Sequence, residues 1–176
     1  MSTDDRQNQF DQAVTPHLDA AYNLARWLSG NDHDAEDIAQ DAAIRAFRFL
    51  GGFRGTNSRS WFLTIVRNTA YSWLKRNRPN AVVEVSEDEL GEQEDPHARP
   101  GDAAAISKAD ANTLRSALEA LPLPLREVIV LRELEGLSYK EIAEAADVPI
   151  GTVMSRLARA RIQLQAIIAQ KGELPR

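Results

Sequence analysis

Residues 79–104 place the strongest constraint on what this chain can fold into. The segment holds three prolines, two glycines and eight acidic groups against one arginine, and its only large apolar side chains are Val82, Val83, Val85 and Leu90. Such a composition cannot bury enough surface to offset the entropy of ordering it. It reads as a flexible acidic linker that divides the 176 residues into two pieces, 1–78 and 105–176. Each piece falls below the ~100–150 residues of a typical domain. The linker also accounts for the charge of the chain. Residues 1–78 carry 10 basic and 9 acidic groups, as do residues 105–176, so the formal net charge of −5 comes from the −7 of the linker.

Both pieces show helical periodicity, and neither carries a strand signal. In the first, Phe10, Val14, Leu18, Ala21, Ala25 and Leu28 recur on one face up to Gly30, with a break or kink expected at Pro16. Asn31 or Asp32 can cap a second helix running to about Leu50, and acids crowd its first turns, at the positive end of the helix dipole. The stretch GGFRGTNSRS reads as a loop, and Ser58 or Ser60 can cap a third helix from Trp61 to about Asn77. In the second piece, apolar positions from Ile106 to Leu121 give one helix, and Pro124 to Glu135 a second, closed by Gly136 as a left-handed cap. Ser138-Tyr-Lys-Glu141 is a capping box opening a third, and a last helix follows the break at Val148-Pro149. The expected fold is all-α, with a three-helix domain and a four-helix domain on either side of the linker.

Two features carry function. Between Ala42 and Arg78 lie eight basic side chains, seven of the eleven aromatics and no acid. Cations interleaved with rings suit single-stranded nucleic acid, because arginines follow phosphates while rings stack on unpaired bases. The same pattern also fits a helix pair with an aromatic core and solvated arginines. The second feature is SYKEIAEAADVP followed by IGTVMSRLARARIQL, which has the layout of a helix-turn-helix. Small Ala143 lets two helices cross closely, and a short turn leads to a helix whose outward residues can enter a major groove. From Pro149 to Lys171 there are four basic residues and no acid.

Other classes find no support. There is no cysteine, so disulfides and thiolate metal sites are excluded, and His17, His33 and His97 are too scattered to form a ligand set. No nucleophile motif or phosphate-binding glycine loop is present, and Gly51-Gly52 reads as a turn. No catalytic residue, metal, cofactor or small-molecule substrate is expected. No apolar run approaches the ~18 residues of a membrane span, and MSTDDRQNQ is too polar for a signal peptide. A cytoplasmic protein without membrane insertion is expected.

GLSYKEIAEAADVPIGTVMSRLARAR resembles the C-terminal DNA-binding domain of bacterial sigma factors. DAEDIAQDAAIRAFRFL, followed by SWFLTIVRNTAYSWLKR, resembles their polymerase-binding and promoter-melting domain. With these two domains and a short linker, the chain resembles the extracytoplasmic-function (ECF) group of the sigma-70 family, over about residues 10–78 and 105–168. The resemblance implies an alternative sigma factor with residues 1–78 as region 2, 79–104 as linker and 105–176 as region 4. Its partners would be core RNA polymerase (the β′ clamp helices and the β flap), promoter DNA and an anti-sigma factor.

The resemblance also places roles. Polymerase docking falls on Asp37, Gln40, Asp41 and Arg45. Holding the melted −10 strand falls on Phe53, Arg54, Asn57, Arg59, Trp61, Arg67 and Asn68. Contacts to the −35 element fall on Thr152, Met154, Ser155, Arg156, Ala158 and Arg159. The family commonly has Lys or Arg where this chain has Met154, which puts a purine-rich −35 preference in doubt. Of Trp61 and Phe62, at least one is expected in the core. In the family the linker threads towards the RNA exit channel, where eight carboxylates would mimic a phosphate backbone. The alternatives are a helix-turn-helix regulator, or an anti-sigma-binding decoy, acting without polymerase.

Overall fold

The computed structural model describes residues 2–82 and 110–173, and among these there is no strand. The first four residues of the expected linker, Pro79–Val82, instead form a 3₁₀ turn with Val82 packed against the core. The rest of it, and the positions Ile106 and Ala109 of the helix after it, lie outside the described residues. The N-terminal part contains α1 (Thr3–Ala13), α2 (Leu18–Ser29), α3 (Asp32–Phe49) and α4 (Ser58–Asn77). The C-terminal part contains α5 (Ala111–Ala120), α6 (Leu123–Ile129), α7 (Tyr139–Ala146) and α8 (Ile150–Glu173).

Four helices stand where three are expected in the first domain, because Pro16 divides the first. Proline lacks the N–H that a continuing helix needs and clashes with the preceding turn. Thr15–His17 forms a single 3₁₀ turn between α1 and α2. Helix α1 then folds back so that Phe10 meets Phe47 of α3 edge-on, with ring centroids 5.6 Å apart. Gly30, at φ +75°, ends α2 in the left-handed conformation that glycine adopts without steric cost. Asn31 caps α3 by accepting from the Asp34 amide at 3.0 Å.

Helix α4 begins earlier than expected. Its cap is Asn57, whose side-chain oxygen accepts from the Ser60 amide at 3.1 Å, so Ser58 and Ser60 lie inside the first turn. Asparagine is among the strongest N-caps, and the choice brings the loop's end to the helix mouth. Leu24, Leu28, Ile38, Leu50, Phe62, Leu63, Val66 and Leu74 fill the centre between α2, α3 and α4.

In the second domain Leu125, Val128, Leu131, Ile142, Val153, Leu157 and Leu164 form the core. The Ser138–Glu141 capping box is present: Glu141 N–H donates to Ser138 Oγ at 3.1 Å and Ser138 N–H to Glu141 Oε1 at 2.9 Å. Gly136, at φ +69°, supplies the left-handed turn before it. The sequence does not foreshadow the turn preceding Gly136. Val130–Leu134 widens into a π turn in which Glu135 N–H reaches Val130 O at 3.1 Å. Helix α7 ends at Asp147, the one non-glycine among the described residues with positive φ, +56°. A short polar side chain tolerates that region better than most.

The two domains pack together. Helix α7 lies along α4, and α6 lies against α2. The seam is rich in charge. Arg126 Nη1 donates to Trp27 O at 2.9 Å, Arg26 pairs with Glu119 at 3.9 Å, and three carboxylates of the second domain meet α4 or its cap.

Candidate nucleic-acid interface

Three surfaces collect the residues singled out in the sequence. The first is the outer face of α3. Asp37 and Gln40 are exposed one turn apart, and Asp41 and Arg45 continue the row, joined by an i,i+4 ion pair of 3.3 Å. Periodicity counts Ile44 and Phe49 with the apolar positions of this helix, but the structure turns both outward: Phe49 is 62% exposed, and Ile44 stands in the same row and is 48% exposed. Beside it, Gln7, Phe10, Gln40, Ala43, Phe47 and Arg48 shape an open groove of about 320 Å³. The signal that could have exposed Ile44 was its position: it lies four residues beyond Gln40, on the polar side of an amphipathic helix. Ile44 is continuous with Phe10, Ala43 and Phe47 of the groove, and a contiguous exposed apolar patch rimmed by polar residues is what marks a protein-contact surface.

The second surface is the loop before α4 together with the outward side of α4. Phe53 and Trp61 stack at 4.9 Å between centroids with a 41° tilt, forming an aromatic floor. A Cβ on Gly55 would come within 3.2 Å of the Phe53 ring, so glycine lets the backbone close over it. Arg54 is exposed, and its Nη1 donates to Gly51 O at 2.8 Å, which steadies the loop. Phe62 is fully buried while Trp61 is half-buried, so the adjacent rings divide between core and surface as expected. Asn68 is exposed and accepts from Arg67 Nη1 at 3.2 Å.

The remaining members of this set are engaged by the other domain. Arg67 Nε and Nη2 both donate to the Glu127 carboxylate, and Tyr71 Oη donates to the same carboxylate at 2.7 Å. The Arg67 guanidinium also lies 3.8 Å from the Tyr71 ring centroid. Arg59 Nη2 pairs with Glu135 at 2.7 Å. Asn57 Nδ2 donates to Glu141, and the loop faces Lys140, Glu141 and Glu144 across an open space of about 620 Å³. Glu127 is completely buried. None of these partners is legible in local sequence.

The electrostatics follow from this packing. Burial alone would depress the Arg67 guanidinium, but the charge and hydrogen bond of Glu127, together with those of Tyr71, more than reverse it and hold the group above its ordinary value. Burial pushes the Tyr71 phenol well up, and the Glu127 charge pushes it further. Glu135 is raised by burial and only partly relieved by Arg59. Glu141 is lowered, first by the backbone hydrogen bond at Ser138, against some burial. Arg126 is lowered by burial.

The third surface is the start of α8. Val153, Leu157, Ala160 and Leu164 point inward, which turns Met154 and Ser155 out to solvent, Met154 being 54% exposed. Thr152, Arg156, Ala158 and Arg159 flank them, partly exposed. Ser155 Oγ donates back to Gly151 O at 3.0 Å. Among the described residues no helix is long and apolar enough to cross a membrane, and no three metal-ligating side chains cluster.

The chain matches two family models: Sigma-70 region 2 over residues 13–79, and Sigma-70, region 4 over residues 111–164. It is 36% identical over 162 residues to the ECF RNA polymerase sigma factor SigE of Mycolicibacterium smegmatis, covering 92% of this chain and 62% of that protein. It therefore spans less than two thirds of that relative's length. It is 38% identical over 161 residues to the RNA polymerase sigma-H factor of Pseudomonas aeruginosa, covering 86% of this chain and 82% of the relative. The sigma factor RpoE of Bartonella quintana, solved in complex with the anti-sigma factor NepR, is similar in structure. Its TM-score is 0.70 at 30% identity, covering 91% of this chain and 96% of the other.

Proposed function

The chain belongs to the ECF sigma factors of the sigma-70 family, and we propose that it binds core RNA polymerase in the cytoplasm and directs it to promoters with −35 and −10 elements. In this reading residues 1–78 dock on polymerase and hold the melted −10 strand, residues 79–104 link, and residues 105–176 read the −35 duplex. The protein performs no chemistry itself. One observation carries the reading: a single chain presents an exposed polar row on α3 with Ile44 set in it, a basic aromatic loop and helix beside it, and an outward helix-turn-helix surface on α8. A stand-alone duplex-binding regulator would have no use for the first two.

The α3 row of Asp37, Gln40, Asp41 and Arg45 meets the β′ clamp helices. Phe53, Trp61, Arg54, Asn57, Arg59, Arg67 and Asn68 receive the unpaired strand, with an aromatic floor for a base and cations for its phosphates. Thr152, Met154, Ser155, Arg156, Ala158 and Arg159 enter the −35 major groove. An anti-sigma factor is the further partner, by likeness to the RpoE–NepR pair. In vitro transcription with core polymerase on a promoter library tests the whole assignment. Transcripts should arise only when the protein is added and from templates sharing two spaced elements. Duplex binding without transcription would instead favour a regulator that acts without polymerase.

Two substitutions test individual contacts. Met154→Arg is expected to shift selection from a randomised −35 library towards guanine, because an arginine fork reads guanine O6 and N7 with about 1–3 kcal/mol of discrimination. The exposed methionine can only pack, for example on a thymine methyl. An unchanged selected sequence would remove Met154 from the base-reading set. Arg54→Ala is expected to weaken single-strand capture on all sequences alike. It should flatten the slope of log affinity against log salt by about 0.7, the share of one phosphate contact on a single strand. A slope equal to the parent's would mean that Arg54 meets no phosphate.

A further inference from the structure

Glu127 stands on α6 and is completely buried. The hydrogen bonds to its buried carboxylate come from Arg67 and Tyr71, both on α4 of the other domain. A carboxylate stripped of water is tolerated only when charge and hydrogen bonds compensate it. Here that compensation exists only while the domains are together. Once they part, Glu127 regains water and Arg67 is left facing outward. Apolar packing also continues across the seam, since buried residues of both domains belong to one hydrophobic cluster. The charge pairs are what the seam adds at the strand-holding side chains.

The residues held by this seam are those assigned to the melted strand. Arg67 spends its donors on Glu127 and Asn68. Arg59 is paired with Glu135 at 2.7 Å, and Asn57 donates to Glu141. An arginine fork binds carboxylate and phosphate by the same paired geometry, so one excludes the other. Two arginines and an amide, spread along the loop and α4, are thus each met by a separate carboxylate of the second domain.

Resting on the strand-binding assignment above, we propose that the second domain is an intramolecular plug. Glu127, Glu135 and Glu141 occupy Arg67, Arg59 and Asn57 in place of the DNA strand, so the free protein captures single-stranded DNA only through the fraction of molecules whose domains have separated. Separation exposes the strand-holding face, while the −35 reader on α8 is outward in either state. Promoter capture is thereby coupled to opening, which any partner favouring the separated domains would drive.

The test uses the full chain and a fluorescein-labelled pool of randomised single-stranded DNA. Glu127→Gln and Glu135→Gln, singly and together, keep the side-chain shape but remove the charge. Small-angle scattering should give a larger radius of gyration for the double variant. Its affinity for the DNA pool should rise at least about tenfold, because apparent affinity scales with the fraction of molecules whose site is open. Thermal melting checks that the variants fold. Glu135 lies at the rim, so Glu135→Gln alone is expected to move both readouts the same way should Glu127→Gln melt out. Opening without a gain in strand binding overturns the plug, and so does a chain that stays compact after both charges are removed. In the first case the Arg54→Ala salt slope still reports separately on whether this face binds a strand at all.

Discussion

Ile44→Asp is expected to cut affinity for core RNA polymerase by at least about tenfold, while leaving the melting temperature within about 2 °C of the parent's. The expectation follows from where Ile44 sits. It is 48% exposed, in a row with Gln40 and Arg48, at the edge of the groove floored by Phe10 and Phe47. Burying an isoleucine side chain against a partner contributes about 1.5–3 kcal/mol, which is roughly tenfold to more than a hundredfold in affinity. Aspartate loses that contribution and places a carboxylate where the partner has displaced water, a second cost. The isolated protein loses little, because exposed substitutions away from special features change stability by about 0.5 kcal/mol or less. Titration of labelled protein with core polymerase reads the first effect and thermal melting the second. Unchanged affinity would move the docking surface off this face of α3.

Phe62→Ala should cost about 3–5 kcal/mol of stability, the range for removing a fully buried phenylalanine ring. Phe62 is 0% exposed at the centre of α2, α3 and α4. Truncation leaves a cavity lined by side chains that cannot all relax into it. For a domain of this size the melting temperature should fall by more than about 10 °C, as followed by circular dichroism. A drop of less than about 2 °C would contradict the core assignment. Its neighbour behaves differently. Trp61 is half-buried and stacked on Phe53, so its loss should act mainly on strand capture.

Much of the local architecture was legible residue by residue. The Ser138–Glu141 box, the left-handed Gly136, the break at Pro16 and the inward stripe of Val153, Leu157, Ala160 and Leu164 all appear as read. These depend on interactions spanning four or fewer residues, which a linear pattern records. The misplacements were also local. Asn57 outcompeted Ser58 and Ser60 as the cap of α4, and a π turn replaced the last α turn before Glu135. In both places more than one backbone solution satisfied the same hydrogen-bond groups.

The interface was legible as an inventory and illegible as a state. Residue types and the resemblance assembled Asn57, Arg59 and Arg67 as one strand-holding set. Nothing in the spacing indicated that Glu141, Glu135 and Glu127 would meet them, from 84, 76 and 60 residues away. Ile44, which periodicity groups with the apolar positions of α3, is exposed for a related reason. Its exposure depends on which side of α3 the neighbouring helices leave open, and α1 settles that by folding Phe10 onto Phe47.

By itself, then, the sequence determined the helices, most of their caps, the all-α class and the inward stripe that turns Met154 and Ser155 outward on α8. Helical periodicity and capping are short-range physics, and they are written in order along the chain. Only the tertiary structure decided which side chains are available. Docking one amphipathic unit on another matches charges that are distant in sequence. It buried Glu127 against Arg67 and left Met154, Arg54 and Ile44 in the open.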